Sequence, residues 1–144
     1  MTPMRAVICL LLLIAPLPLL AQSSLVQDGY TVYYSAIPTL DLTPDVARGY
    51  VITRSANRAL LNIAIRRANA DGDVAVSARI SGSAQNDAGQ GQALALREVR
   101  EGDAIYYLGE PRMRPGDTLR FDLQILPDGA ERPITLRFSR TFYP

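Results

Sequence analysis

Arginine is the residue type whose placement in this chain most readily suggests chemistry. Between Val46 and Ala70 stand Arg48, Arg54, Arg58, Arg66 and Arg67, with no acid among them. Guanidinium forks grip carboxylate or phosphate through paired hydrogen bonds, so the Arg48–Arg67 stretch could cradle a small anionic ligand. Within it, Arg54-Ser55-Ala56-Asn57-Arg58 gathers two forks, an amide and a hydroxyl just before an apolar run. Loops on rigid scaffolds are where binding groups concentrate, which makes Arg54, Asn57 and Arg58 the candidate ligand-binding residues. Each has a plainer use. From Asp71 onward acids outnumber arginines eleven to nine, so the two segments can neutralise each other across a sheet. Ser55 and Asn57 also suit a turn.

Other chemistries are thinly equipped. Tyr33-Tyr34 and Tyr106-Tyr107 are adjacent pairs, so on strands each pair sends one ring to either side, giving an aromatic platform for sugar or peptide or simply cross-strand packing. Asn69, Asp71 and Asp73 resemble a calcium loop, but Gly72 falls between the second and third ligands and no glutamate closes the site, which reads as a hairpin turn. Histidine is absent, the single cysteine is Cys9, and Met113 is the one methionine beyond the first residues, so neither a copper or zinc site nor any cofactor is implied. Histidine triads and lysine dyads lack their bases. What remains for catalysis is a carboxylate pair among Glu98, Glu101, Asp103 and Glu110.

The chain's start sets its compartment. Arg5, the apolar run Ala6–Ile14 and the small residues leading to Ala21-Gln22 have the order of a secretory signal peptide, with cleavage expected after Ala21. A spanning helix needs about 20 apolar residues, and Pro16 and Pro18 interrupt this one. Cleavage removes Cys9, so no disulfide or thiol enters the periplasm. It also removes Arg5, leaving as many arginines as acids in Gln22–Pro144 and no global pull toward nucleic acid or acidic membranes. No membrane insertion is expected of the remaining chain, read as a single domain over 22–144, and its oligomeric state is left open.

Those candidate groups need elements to hold them. Period-two alternation marks strands at Tyr30–Ser35, Ala59–Arg67, Thr118–Ile125 and Ile134–Ser139, with Leu61, Ile63, Ile65, Leu119, Phe121, Leu123 and Ile125 facing inward. Thr43 as cap, Pro44 at the first helical position and Gly49 as the close predict a short helix, with Val46 and Tyr50 packing it on the sandwich. Asp71-Gly72 predicts a hairpin turn, after which Val74–Ser81 reads as one returning strand carrying Val76, Ala78 and Ile80 inward. Gly82–Gln92, without large apolar residues, reads as a mobile loop. Ala93–Val99 and Ala104–Leu108 form a second hairpin, and Pro111–Gly116 a connection. About seven strands with one short helix after the first give an all-β fold, an immunoglobulin-like antiparallel β-sandwich, with a closed barrel as the alternative.

Two runs carry a family resemblance: Arg54-Ser55-Ala56-Asn57-Arg58-Ala59-Leu60-Leu61-Asn62-Ile63, and Leu96 to Leu108 (LREVREGDAIYYL). Together with Leu119–Leu123 and Leu136 to Tyr143, they make the chain resemble domain-of-unknown-function family 4426, exported proteins of proteobacteria. The resemblance implies a periplasmic β-sandwich and brings no activity, cofactor or catalytic residue with it. From the residues alone, the expected function is a non-catalytic periplasmic binding or interaction module for an envelope protein or a small anion. The alternative is an envelope polysaccharide hydrolase using paired carboxylates.

Overall fold

The computed structural model describes residues 22–144; the expected signal peptide, Cys9 included, lies outside them. Ten strands form two antiparallel sheets that sandwich one apolar layer. The first sheet runs β1 (Ser23–Gln27), β2 (Tyr30–Pro38), β3 (Ala59–Asn69), β8 (Ala104–Gly109) and β7 (Arg97–Glu101), with β4 (Gly72–Ala75) also paired to β3. The second runs β10 (Ile134–Thr141), β9 (Thr118–Pro127), β5 (Ala78–Gln85) and β6 (Gly91–Ala93). No helix among the described residues is long and apolar enough to cross a membrane.

The alternation read from the sequence sets the core. Leu61, Ile63 and Ile65 of β3 face Leu119, Phe121, Leu123 and Ile125 of β9, and all are buried. Phe138 stacks on Phe121 with ring centroids 4.6 Å apart, and Tyr34 reaches Phe138 at 4.6 Å, tying the two sheets beside β2. Offset and tilted ring pairs add about 0.5–1.5 kcal/mol beyond the area they bury.

The expected count of about seven strands is corrected to ten by three departures. Val74–Ser81 is not one strand: β4 pairs with β3 in the first sheet, and β5 pairs with β9 in the second, the chain changing sheets at Val76-Ser77. Val76, buried, hydrogen-bonds Ile65 at the crossing. The expected mobile loop Gly82–Gln92 is a β5–β6 hairpin, whose turn is held by Asn86 Oδ1 accepting from the N–H groups of Ala88 and Gln90 at 3.0 Å each. The chain then returns to the first sheet, so the expected strand Ala93–Val99 is divided between β6 and β7. An unanticipated edge strand, β1, precedes the one read first.

The helix α1 (Pro44–Tyr50) lies against the outer face of the first sheet. Thr43 Oγ1 accepts from Val46 N–H at 3.2 Å, as a capping threonine should. Its end differs from expectation: Val51, not Gly49, takes the left-handed cap at φ 56. The packing differs too. Val46 is 43% exposed, while Ala47, Ile52 and Tyr50 meet Leu60 and Leu108. Ala47 and Tyr50, three residues apart, share the face that points down, and Val46 lies at its edge.

A polar cleft at one end of the sandwich

The segment between α1 and β3 is held by a residue that no motif marks. Thr39, fully buried, lies in a one-turn 3-10 helix (Thr39–Asp41) after β2. Its Oγ1 accepts from Ser55 N–H at 2.9 Å and stands 2.9 and 3.0 Å from the carbonyl oxygens of Ser55 and Arg58, to one of which it can donate at a time. Thr39 N–H also donates to the Arg58 carbonyl at 3.0 Å. Ser55 Oγ accepts from Asn57 N–H at 3.1 Å, so Ser55 and Asn57 do close a turn. A buried β-branched threonine reads in sequence as a strand residue; its burial at the end of β2 is what gives it this role.

The turn docks on the Pro111–Gly116 connection. Asn57 O accepts from Met113 N–H at 3.1 Å, Ala59 N–H donates to Pro111 O at 3.0 Å, and Arg58 and Arg112 form an antiparallel bridge. Gln92 clasps Arg112 from the other sheet, accepting from its N–H at 2.9 Å and donating to its carbonyl at 2.8 Å. These contacts build an open cleft of about 410 Å³ lined by Asn57, Arg58, Gln92, Arg112, Arg114 and Asp117, with further small and amide residues at its rim.

The candidates part company here. Asn57 and Arg58 line the cleft, while Arg54 turns away and donates to the Leu40 carbonyl at 3.2 Å. Arg58 has one distant carboxylate, Glu110 at 3.8 Å. Asp117 is engaged, accepting from Arg114 N–H at 2.9 Å through Oδ2. Among the described residues, the guanidinium groups of Arg112 and Arg114 have neither a hydrogen-bond nor an ion-pair partner, so of the three cations only Arg58 has a carboxylate within 4 Å. Arg112 and Arg114 sit in PRMRPG, which sequence reasoning read only as a connection; two arginines flanking a buried Met113 were the available signal.

Of the other arginines in the Arg48–Arg67 stretch, Arg48 pairs with Asp45 and Arg66 with Asp73 at 3.1 Å. The latter is the cross-segment neutralisation that composition suggested. Asn69 Oδ1 accepts from Asp71 N–H at 3.0 Å, so the calcium-like triplet is a hairpin turn. Among the described residues, no cluster of three or more His, Cys, Asp or Glu could hold a metal.

Glu98 and Glu101 of the second hairpin do not face one another. Glu98 reaches inward, accepting from Tyr107 Oη at 2.9 Å, and its carboxyl is held below the usual range by that bond and by Arg100. Tyr107 Oη in turn accepts from Ala78 N–H at 2.8 Å, and burial pushes its phenol up. Glu101, three residues on, lies on the opposite face and accepts from Tyr50 Oη at 2.6 Å. That bond is the largest cause raising the Tyr50 phenol to about 12 from an ordinary 10.0, since ionisation would set a phenolate against a carboxylate. Glu101→Gln is expected to return Tyr50 toward 10.0. An NMR pH titration of the tyrosine ring carbons checks this; a Tyr50 transition unmoved by the substitution would refute the bond. Because the folded value is the raised one, whatever stability the bond gives is present below pH 10 and fades as pH rises through about 12.

Comparison with known proteins agrees with this architecture. A family member from Pseudomonas aeruginosa PAO1 superimposes with a TM-score of 0.73 at 25% identity, covering 88% of this chain and 98% of its own. FetP from uropathogenic Escherichia coli strain F11, produced in the periplasm, matches at TM-score 0.61 and 10% identity over 85% of this chain and 94% of its own. A copper-bound variant of FetP matches at 0.59 and 12% identity over 85% and 95%. These last two share the fold. No curated protein matches the sequence. The family model of the domain of unknown function DUF4426 matches residues 25–144, and the chain belongs to that family.

Proposed function

We propose that this protein is a non-catalytic binding module of the periplasm that holds a small anion in the cleft between Asn57, Arg58, Arg112 and Arg114. The observation that carries this is the convergence of three guanidiniums, Arg58, Arg112 and Arg114, on one cleft whose backbone is fixed by Thr39, Gln92 and Asp117. Some surface arginines pair with carboxylates, as Arg120 does with Asp87 at 2.8 Å and Arg137 with Asp122 at 3.2 Å, and others, such as Arg79 and Arg132, stand unpaired among the described residues; the cleft is set apart by gathering three guanidiniums. Forks held apart from carboxylates by a braced backbone suit a carboxylate or phosphate supplied from outside. The periplasmic assignment rests on the leader-like order of residues 1–21 and accords with a structural relative produced in that compartment.

The copper carried by the FetP variant has no evident counterpart. This chain has no histidine, and Met113 is buried. For the hydrolase alternative, Glu98 and Glu101 supply no facing pair, because they point to opposite faces of the first sheet.

Calorimetric titration of the Gln22–Pro144 chain with inorganic phosphate and, separately, succinate at low salt tests the reading. At least one is expected to bind, more weakly as salt rises. Arg112→Gln with Arg114→Gln is expected to weaken it about tenfold or more, the loss of charge-assisted hydrogen bonds, while Arg79→Gln at the opposite end of β5 changes nothing. Binding equal to chloride for both anions, or unchanged in the double variant, would remove the cleft from consideration.

A further inference from the structure

The cleft of three arginines also holds a carboxylate that none of them claims. Arg58 and Arg112 face each other across an antiparallel bridge, and Arg114 stands two residues beyond Arg112, exposed like it, with Met113 buried between them. Asp117 lines the same cleft. A tight turn, Arg114-Pro115-Gly116-Asp117, places it: Asp117 N–H donates to the Arg114 carbonyl at 2.9 Å, and Gly116 takes the positive φ, 94, that glycine allows. Phe142, buried, ties this turn to the core. Its N–H donates to the Asp117 carbonyl at 2.8 Å, and its own carbonyl accepts from Gly116 N–H.

One oxygen of that carboxylate is spent and one is free. Asp117 Oδ2 accepts from Arg114 N–H at 2.9 Å, while Oδ1 has no hydrogen-bond partner among the described residues, and no described guanidinium comes within 4 Å of either oxygen. Glu110 approaches Arg58 at 3.8 Å from outside the cleft lining. Opposite charges thus line one cleft on a fixed backbone without pairing across it. For a simple anion such as phosphate, Asp117 is a like charge that opposes binding. For a molecule that carries both signs it is a partner.

Resting on the anion-binding reading of the cleft, we infer that its ligand is an acidic α-amino acid, held by carboxylates on Arg58, Arg112 and Arg114 and by its ammonium on Asp117. Two carboxylates and one ammonium answer three guanidiniums and one carboxylate in sign. Guanidinium forks take carboxylates through parallel hydrogen bonds, and an ammonium, with three donors and no acceptor, suits the free Asp117 Oδ1. Each such bond spans about 2.9 Å, so a ligand seated between Asp117 and the forks keeps them further apart than a direct ion pair would. A cleft of about 410 Å³ falls in the range of about 300–1,000 Å³ that small ligands occupy. A dicarboxylate without the ammonium leaves Asp117 unanswered. A neutral amino acid leaves part of the arginine charge unanswered.

Calorimetric titration of the Gln22–Pro144 chain at low salt compares L-glutamate with glutarate, which lacks the ammonium, and with L-glutamine, which lacks the second carboxylate. L-Glutamate is expected to bind about 3- to 10-fold more tightly than either, the net worth of one hydrogen bond at a site open to solvent. Asp117→Asn keeps an oxygen for the Arg114 N–H, so the turn should survive. In that variant L-glutamate should fall to the level of glutarate, while glutarate binds as well as before or better, a like charge having gone. Equal weakening of both ligands would mark Asp117 as structural only and overturn the assignment. Glutarate or L-glutamine binding as tightly as L-glutamate would overturn it too, as would a preference for L-glutamate that survives Asp117→Asn. Phosphate or succinate binding without any advantage for L-glutamate would remove the amino-acid assignment alone; no binding of any of these probes would remove the anion reading with it.

Discussion

Phe121→Ala is expected to lose about 3 to 5 kcal/mol of stability, whereas Asp122→Ala one position along should lose no more than about 1 kcal/mol. Phe121 is 2% exposed at the centre of β9 and stacks on Phe138, so truncation removes a ring from both neighbours and leaves a void between the sheets. Asp122 points the other way and pairs at 3.2 Å with Arg137, its cross-strand neighbour on β10. Both groups are well exposed, and solvent screens such a pair to little net worth. Domains of this size are stable by only about 5 to 15 kcal/mol, so the first variant should unfold far earlier in urea or fail to accumulate. Matched urea melts decide it: equal losses, or the larger at Asp122, would mean that β9 presents its faces the other way round.

Gly82→Ala should be at least as damaging, although it adds a single methyl. Gly82 lies in β5 opposite Leu123 of β9, and the Leu123 side chain occupies the place a side chain at Gly82 would take. A methyl there would fall on the Asp122 carbonyl oxygen, 2.6 Å from Leu123 Cδ2 and 2.9 Å from Leu123 Cα. Two of those three atoms are backbone and cannot swing aside, so the strands must separate where they are most tightly joined. Overpacking typically costs about 1–3 kcal/mol when side chains can adjust, and this site sits at or beyond the upper end. Gly49→Ala, on α1 with open space around it, is the control and should be neutral or slightly stabilising. Thermal melts of the two variants check the contrast; a Gly82→Ala protein as stable as the parent would show that β5 and β9 are not packed in this register.

The same residues show what could be read from sequence and what could not. Leu119, Phe121, Leu123 and Ile125 alternate with polar residues along a central strand, and period two alone gave both the strand and its facing. The segment Val74–Ser81 keeps its alternation while the chain passes from one sheet to the other, so pattern could not reveal the break at Val76-Ser77. Ser81, Gly82, Ser83 and Ala84 look like loop residues because their inward positions are small, and at Gly82 that smallness is required by Leu123 of the paired strand, which covers it. That information belongs to the partner strand. β1 escaped notice as a short edge strand whose Val26 is exposed. The cleft was legible at Asn57 and Arg58 but not at Arg112 and Arg114, which a distant segment brings beside them through Gln92.

The three changes of sheet, at Val76-Ser77, between β6 and β7 and between β8 and β9, also set an order in time. Neither sheet is made from one continuous stretch: Leu61 waits for Gly109, and Ile80 waits for Ile125. A growing chain therefore holds β3 and β5 with one edge unmatched until most of its length is available, and the entropy of closing those long loops is lost before the pairing is gained. Sandwiches dominated by such distant pairings fold in milliseconds to seconds, where local hairpins close in microseconds. The β3–β4 and β7–β8 hairpins can form early, but each is too small to hold alone. Commitment to the native state belongs to the arrival of β9, which pairs with both β5 and β10 and brings Phe121 into the gap between the sheets.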